Sequence, residues 1–209
     1  MVLQRISEYN TDQLASFRAL TEAMHRLDEA ELHGLRQAIL PYLDFRRNLD
    51  RFSSACFGSY CGRTCFETCL SACCGFESIF TFFADQVITY LESEPADMDA
   101  LFRILARPNT SKNCVYLGQN GCLWRVRPIS CAMFFCDQAK EAVFREQPRV
   151  KSTWEVLRAR EKEFTRPTQP VLFDELEVFF RNKGLDSPHM YFHRSPGLLR
   201  LKKQAGLPM

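Results

Sequence analysis

Ten cysteines are the residues of this 209-residue chain with the most evident chemistry, and all of them lie between positions 56 and 136. Residues 1–55 and 137–209 contain none. Ten cysteines in 209 residues is a lower content than the roughly 8–10% of a disulfide scaffold. In a reducing compartment, clustered cysteines more often bind metal or do redox chemistry than form structural disulfides. The middle of the chain therefore predicts a metal centre on cysteine thiolates.

The first cysteine block spaces its thiols four residues apart, at Cys61, Cys65, Cys69 and Cys73, with Cys74 directly after. On an α-helix four residues turn the chain by about 400°, so successive sulfurs would drift only about 40° around one face. Neighbouring thiols could share a metal there, and a looped backbone with the same spacing could also wrap one. Without a ligand, five thiols in fourteen residues would form a cluster prone to oxidation.

The second cysteine block contains Cys114, Cys122, Cys131 and Cys136. Asn120-Gly121 is a strong tight-turn signal, so the residues around it predict a β-hairpin. If those two residues form the turn, Cys114 lies opposite Arg127.

A four-thiolate site carries a net charge of about −2, which nearby guanidinium groups and backbone amides would stabilise. The candidate cations are Arg63, Arg125 and Arg127, although an exposed strand face would explain them equally well. The aromatic residues that could form an apolar shell around the site are Phe66, Trp124, Phe134 and Phe135.

The order of these motifs resembles the YkgJ-type cysteine-cluster family, described as a zinc- or iron-chelating domain, over roughly residues 56–136. The shared features are an adjacent cysteine pair, then Asn-Cys-Val-Tyr-Leu, Gly-Cys-Leu-Trp, Arg-Pro-Ile-Ser-Cys and Phe-Phe-Cys. The resemblance implies eight metal ligands: Cys65, Cys69, Cys73, Cys74, Cys114, Cys122, Cys131 and Cys136. It also places Arg127, of the Arg-Pro pair, beside the bound group. Three residues rather than the family's two separate the first-block cysteines, so Cys56 and Cys61 stay open as alternative ligands.

The predicted cofactor is an iron–sulfur cluster or a zinc or iron ion, at one or two sites. Two four-thiolate sites, or one site plus free thiols, fit the number of cysteines. All-thiolate coordination suits zinc and iron–sulfur clusters alike. The sequence lacks the Cys-x2-Cys knuckles common in zinc sites, which favours iron–sulfur slightly. His189 and His193 are interpreted as a surface pair rather than as ligands, since prolines crowd them.

Whether the chain is an enzyme stays open at the level of sequence. It has no Gly-x-Gly-x-x-Gly motif, no phosphate-binding glycine-rich loop and no recognisable Ser/His/Asp set. The resembled family includes domains within flagellin lysine N-methylases, which implies a metal-dependent protein-modifying enzyme as one alternative. A thiol redox or metal-buffering protein, with low-pKa thiolates beside Arg63 and Arg127, is another.

The overall composition excludes several classes of partner. The 27 basic and 25 acidic residues nearly cancel, whereas nucleic-acid-binding proteins concentrate basic charge. The longest apolar stretch, from Ile79 to Leu91, is interrupted by Asp85 and Gln86 and is too short to span a bilayer. The N-terminus has no hydrophobic core like that of a secretory signal. We therefore expect a cytoplasmic protein that binds neither nucleic acid nor membrane.

Apolar periodicity predicts helices over most of the remaining chain. The first covers 11–47, is capped by Asn10 or Thr11, and is broken or kinked by Pro41. A second is expected with Phe76, Ile79, Phe80, Phe83, Val87 and Leu91 on one side. The other predicted helices are 97–106 capped by Asp97, 138–146 capped by Asp137, 152–165 and 172–183. The tail from Ser187 is expected to be loop.

These elements predict a mainly α fold: a helical casing around an irregular cysteine-rich metal core with one small β-hairpin. The expected division is an N-terminal helical region (1–55), a metal-binding domain (56–136) and a C-terminal helical region packed on it (137–209). The first helix should pack on the core, with a dimerising coiled coil as the alternative. The expected partners are thus a metal ion and, in that alternative, a second copy or another protein.

Overall fold

The computed structural model describes residues 7–67, 73–75, 80–109 and 112–209. Within these residues the fold is mainly α with one small β-hairpin, as the sequence predicts. The helices are α1 (Glu8–Met24), α2 (Glu29–Ser59), α3 (Phe83–Glu92), α4 (Pro95–Leu105), α5 (Ile129–Ala132), α6 (Asp137–Glu146), α7 (Pro148–Thr165), α8 (Leu172–Asn182) and α9 (Pro196–Gln204). A π-helical segment (Tyr60–Phe66), a 3-10 segment (Tyr191–His193) and strands β1 (Leu117–Gly118) and β2 (Gly121–Cys122) complete the described elements.

The N-terminal region forms two helices rather than the predicted single helix over 11–47. The chain breaks after α1. The apolar residues Phe17, Leu20, Met24 and Leu27 recur at three- and four-residue steps, and the pattern shifts register before Leu32, close to that break. The cap of α1 is Ser7, whose hydroxyl accepts the Asn10 N–H at 3.1 Å, so the assignment to Asn10 or Thr11 was wrong. At the start of α2, Asp28 accepts the Glu31 N–H at 2.8 Å, and Glu31 bonds back to the Asp28 N–H. This reciprocal capping box fixes where α2 begins.

Of the two predicted effects of Pro41, a break or a kink, the break is wrong, because α2 continues through it to Ser59. Proline leaves the carbonyl four residues earlier, on Gln37, without its helical donor. Both residues lie on the exposed face of α2, where water can solvate that carbonyl. The buried stripe on the other face, which includes Ile39 and Tyr42, holds the helix in place.

The apolar side chains form two adjoining cores. The larger one joins α2, α3, α7 and α8, with the Tyr42 ring 5.3 Å from both Phe164 and Phe173. The smaller one joins α1 and α4 to the hairpin region, where the Phe17 ring lies 5.2 Å from Trp124. Each such buried ring stabilises the fold by roughly 1.5–3 kcal/mol. The hairpin region is therefore fixed to the helical casing by apolar packing.

The apolar stripes of the N-terminal helices are covered within the chain, since α1 packs on α3 and α4 while α2 packs on α6 and α7. A dimer through this region stays a prediction. The division of the chain at residues 55 and 136 also stays a prediction, and α2 runs across the first of these boundaries. Among the described residues, no helix combines the length and apolar content needed to cross a bilayer.

The predicted hairpin is present, but its register differs by one residue at the turn. Leu117 pairs with Cys122 and Gly118 with Gly121, so Gln119 and Asn120 form the turn. Gly121 has φ of 107°, a conformation that a side chain would strain. The ladder is only two residues long on each strand, and the expected pairing of Cys114 with Arg127 is wrong.

Four further helix starts differ from the sequence predictions. α7 begins at Pro148, four residues before its predicted start at 152. Phe80 lies outside α3, which begins at Phe83, and the predicted helical residues 76–79 lie outside the described part of the chain. Asp97 lies within α4 and accepts the Glu94 N–H at 3.1 Å, rather than being the cap itself. Cys136, not Asp137, is the residue that precedes α6.

The C-terminal tail is ordered by buried charges, where a loop was predicted. The Lys202 ammonium of α9 is fully buried and donates to Asp174 of α8 at 2.8 Å. Glu177 of α8 accepts the Phe192 N–H at 3.0 Å and lies 3.0 Å from His193 Nδ1. The interpretation of the tail histidines as a surface pair was wrong, because the side chains of both are buried. Sequence periodicity misses α9 because these contacts, rather than an apolar stripe, hold it.

The buried carboxyl of Glu177 should make the protein less stable as pH rises. Burial, followed by the nearby Asp174, raises the pKa of Glu177 to about 9. The unfolded chain loses this proton near its ordinary pKa of 4.5, whereas the folded chain keeps it to about 9. Folding therefore binds an extra proton in this window, and stability falls by at most about 1.4 kcal/mol per pH unit from this group.

Glu177→Gln mimics the protonated acid and should flatten the pH dependence of the unfolding free energy between pH 5 and 8.5. Urea unfolding at several pH values measures this. Glu175→Gln, on the exposed face of the same helix, is the matched control and should keep the wild-type slope. An unchanged slope in Glu177→Gln would contradict the assignment.

Candidate metal centre

The first-block cysteines begin on the end of α2. Cys56 lies in its last turns, and Cys61 and Cys65 lie in the π-helical segment that follows. There the Glu67 N–H donates to the Gly62 carbonyl at 2.9 Å, a bond five residues long. Such wide turns are rare and often occur at functional sites. Cys56 and Cys61 are half-buried against the larger core.

The chain then returns to meet the second cysteine block through backbone pairing. The Cys114 N–H donates to the Cys74 carbonyl at 2.5 Å, and Gly75 forms an isolated antiparallel bridge with Asn113. This contact joins positions forty residues apart (114 − 74). The two blocks, separate in sequence, are therefore adjacent in the fold.

The segment from Val126 to Cys131 is held by buried polar side chains of α3. The Val126 N–H donates to the Thr89 hydroxyl at 3.0 Å. The Ile129 N–H donates to Asp85 at 2.9 Å, and the other oxygen of this carboxyl accepts the Phe82 N–H at 3.0 Å. Burial raises the pKa of Asp85 to about 7 despite these two donors, which lower it.

The same segment is also held from α2 and from the chain that enters α3. Arg46 is almost fully buried and donates to the Arg127 carbonyl at 2.5 Å. The Ser130 hydroxyl donates to the Phe80 carbonyl at 2.5 Å. The Arg-Pro-Ile-Ser-Cys motif is thereby anchored on both sides of its proline.

Four cysteines lie close together around the π-helical segment: Cys61, Cys65, Cys73 and Cys136. We name them the helix thiol group. Cys136 and Cys65 both raise the pKa of Cys61, and the same two residues together with Cys61 raise that of Cys73. The Cys136 backbone N–H also donates to the Cys73 sulfur.

Four others lie together around the hairpin: Cys74, Cys114, Cys122 and Cys131. We name them the hairpin thiol group. Cys122, Cys74 and Cys131 all raise the pKa of Cys114, and Cys122 and Cys74 raise that of Cys131. Cys65 also raises the pKa of Cys74, so the two groups are neighbours.

Backbone N–H groups point at sulfurs in the hairpin group. The Tyr116 N–H donates to Cys114 and the Trp124 N–H to Cys122, each two residues beyond its cysteine. The Ser130 hydroxyl lies 4.0 Å from the Cys131 sulfur. Hydrogen bonds of this kind favour a charged thiolate over a neutral thiol.

Burial nevertheless favours the neutral, protonated thiol at these cysteines when no metal is bound. It is the largest cause of the raised pKa at Cys114, to about 12, and at Cys73 and Cys131, to about 11 each. The donors that favour the thiolate only partly offset this burial. Four adjacent thiolates would also repel one another, so the ionised state needs a positive charge among them.

Arg127 lies near the hairpin thiol group, and the role beside a bound metal that the resemblance implies for it stays a prediction. Its guanidinium lowers the pKa of Cys74 and Cys122, and it pairs with Asp50 at 3.0 Å. Arg63 and Arg125 are exposed. Of the proposed apolar shell, Trp124 and Phe135 are buried and Phe134 is half exposed, and the Phe66 side chain lies outside the described part.

The eight predicted ligands divide between the two groups, with one exception and one addition. Cys69 lies outside the described residues. Cys61, left open in the sequence analysis, belongs to the helix thiol group, and Cys56 packs on the larger core without a resolved link to either group. Sequence spacing could not reveal this division, because each group takes a cysteine from the other block. Cys136 of the second block lies with the first-block cysteines, and Cys74 of the first block lies with the second-block cysteines.

The donor chemistry of both groups fits a metal that prefers thiolates, since four sulfurs complete a zinc site or bind an iron–sulfur cluster. Within residues 7–67, 73–75, 80–109 and 112–209, no three or more His, Cys, Asp or Glu side chains are already arranged to hold a metal ion. Metal binding would therefore have to draw the sulfurs of a group closer together.

Removing the Thr89 hydroxyl should destabilise the segment that carries Cys131. Thr89→Val preserves the shape of a fully buried side chain but leaves the Val126 N–H without its acceptor, which costs about 1–3 kcal/mol. Urea unfolding of the metal-free chain measures this loss.

Thr153→Val is the control, since the Thr153 hydroxyl is exposed and donates to the Arg149 carbonyl within α7. Its effect should stay within about 0.5 kcal/mol. Equal losses in the two variants would show that the Thr89 bond does not hold the segment.

No family model, no curated protein and no solved structure matches this chain. The resemblance to the YkgJ-type family therefore stays a hypothesis based on the quoted motifs. The function has to be inferred from the residues themselves, above all from the two thiol groups.

Proposed function

We propose that this chain is a metal-binding protein that holds one or two metal centres on cysteine thiolates. Each centre is an iron–sulfur cluster or a zinc or iron ion. The observation that carries the proposal is the gathering of eight described cysteines, from separate segments, into the helix and hairpin thiol groups. Four thiolates are the complete ligand set of a structural zinc site or a four-iron cluster.

The hydrogen bonds to sulfur favour metal binding over the simpler interpretation of buried cysteines as small hydrophobic side chains. A neutral thiol that only fills space needs no N–H donor. Here the Cys136, Tyr116 and Trp124 N–H groups donate to sulfurs in both groups. A metal would supply the positive charge that stabilises the thiolates against burial and mutual repulsion.

The surrounding residues would position the ligands. Arg127 would reduce the net negative charge of the hairpin centre, while Asp50 orients its guanidinium. Arg46 and Asp85 fix the backbone that leads to Cys131. When bound, the metal centre would cross-link the irregular segments, and in its iron–sulfur form it would also carry electrons.

The raised thiol pKa values disfavour the redox-buffer alternative. A reactive cysteine normally has a lowered pKa in an electropositive, accessible setting. Burial is instead the largest cause of a raised pKa at the half-buried cysteines Cys61, Cys73, Cys74, Cys114 and Cys131. Cys122 is the one exposed cysteine among the described residues.

Metal analysis of protein purified without oxygen tests the proposal. The expected result is stoichiometric bound metal: either iron with inorganic sulfide and absorption near about 400 nm, or zinc in a colourless protein. Wild-type protein that folds and contains neither metal would contradict the proposal.

Single cysteine variants test which thiols are ligands. Cys122→Ser should lower the bound metal by about one centre, since it removes one of four ligands from the hairpin thiol group. Cys61→Ser should do the same for the helix thiol group. Cys56→Ser is the matched control and should leave the metal content unchanged, because Cys56 is not among the residues that raise the pKa of Cys61, the member of the groups nearest to it in sequence. Equal metal loss in all three variants would show that the grouping is wrong.

A further inference from the structure

An open cavity of about 490 Å³ lies beside the segment from Ile129 to Phe135. Its volume falls within the range of sites that bind small organic molecules. α7 forms one side, α6 contributes Lys140 and Phe144, and Phe82 also lines it. The cavity lies next to the thiol groups without including any of their cysteines.

The apolar walls of the cavity are mainly aromatic. The lining rings are Phe82, Phe134, Phe135, Phe144 and Trp154. The rings of Phe135 and Trp154 pack edge to face at 5.1 Å, which fixes that wall. Phe134 is 50% exposed, which is unusual for a large apolar ring. A molecule bound in the cavity would cover this ring. Such walls favour a ligand with a planar apolar body.

The polar side of the cavity is formed by one face of α7. Lys151, Trp154, Arg158 and Glu161 recur at helical spacing and all line the cavity, as does Glu155. Within the described residues neither Lys151 nor Arg158 forms an ion pair. Two of the other charged residues have partners within the chain, since Lys140 pairs with Asp137 at 2.6 Å and Glu161 accepts the Thr165 hydroxyl.

The charge of the lining favours a single negative charge on the ligand. Three cations and two carboxylates line the cavity, which leaves one net positive charge. An arginine or lysine without a protein partner is a suitable donor to a carboxylate. A dianion would meet Glu155 and Glu161 without enough cations to balance it.

We propose that this cavity binds a small organic monoanion with a planar apolar body, of the class of aromatic carboxylates. The rings hold the apolar body, and Lys151 and Arg158 hold the carboxylate. The site goes beyond metal binding, and none of the cysteines of the thiol groups lines it. Its floor is the short segment that joins Cys131 of the hairpin thiol group to Cys136 of the helix thiol group.

Calorimetric titration of the full chain with 2-naphthoate tests the proposal, with naphthalene-2-carboxamide as the neutral probe of the same shape. We expect naphthoate to bind with a dissociation constant below about 1 mM. The carboxamide should bind about tenfold more weakly. No heat of binding for naphthoate at millimolar concentrations, or equal affinity for both probes, would overturn the proposal.

Two variants locate the binding site. The double variant Lys151→Met/Arg158→Met should weaken naphthoate about tenfold and leave the carboxamide unchanged. The control Arg149→Met/Lys162→Met makes the same charge change at exposed positions of α7 outside the cavity and should leave both affinities unchanged. Equal effects of the two double variants on naphthoate would overturn the proposal.

Phe134→Ala tests the aromatic wall and should weaken both probes several-fold. Because Phe134 is half exposed, this variant should fold normally, which thermal unfolding checks. Unchanged affinity for both probes would exclude this cavity as their site. Metal content is measured on the same samples, so a failure of this proposal is distinguishable from a failure of metal binding.

Discussion

The irregular segment from Val126 to Cys131 depends on polar side chains that reach it from the helical casing. A backbone without regular hydrogen bonds is stable near a core only if its N–H and carbonyl groups find other partners. Thr89 and Asp85 supply acceptors from α3, and Arg46 supplies a donor from α2. These side chains are almost fully buried, and the bond from the Ile129 N–H to Asp85 is buried as a whole, where water competes least. Without them the segment that carries Cys131 would lose the polar contacts that hold it against α2 and α3.

The same bonds explain why charged groups are buried in a helical core of this size. Asp85 has a raised pKa and Arg46 retains an unpaired Nε, so both carry a desolvation cost. A core filled only with apolar side chains would avoid that cost but could not hold the loop. Arg46 and Arg127 also lower the pKa of Cys122, which reduces the cost of ionising the hairpin thiol group. The buried polar residues of α2 and α3 therefore serve the candidate site as much as the fold.

The sequence predicts the elements that depend on neighbouring residues, and it fails for features that depend on contacts between residues far apart in the chain. The existence of the hairpin follows from its turn residues, although the turn lies one residue earlier than predicted, at Gln119-Asn120. The bounds of α8 agree with the apolar pattern to within one residue. Pro41 fails as a helix stop because its exposed position is a tertiary property. The tail helix α9 depends on Lys202 reaching Asp174. The cysteines were found as a cluster, but their division into two groups depends on pairing between Cys74 and Cys114, which spacing cannot encode.

The two thiol groups and the cavity share one short stretch of chain, and this limits how independently they can behave. Only four residues separate Cys131 from Cys136, and α5 occupies the start of this stretch. Drawing the sulfurs of either group around a metal would move one end of it. Five residues of this part of the chain also line the cavity: Ile129, Ser130, Met133, Phe134 and Phe135. If a metal and an organic ligand each favour one position of this stretch, thermodynamic linkage requires that each change the affinity of the other by the same factor. Such coupling needs no contact between the two ligands, because a segment this short cannot adjust one end without displacing the other.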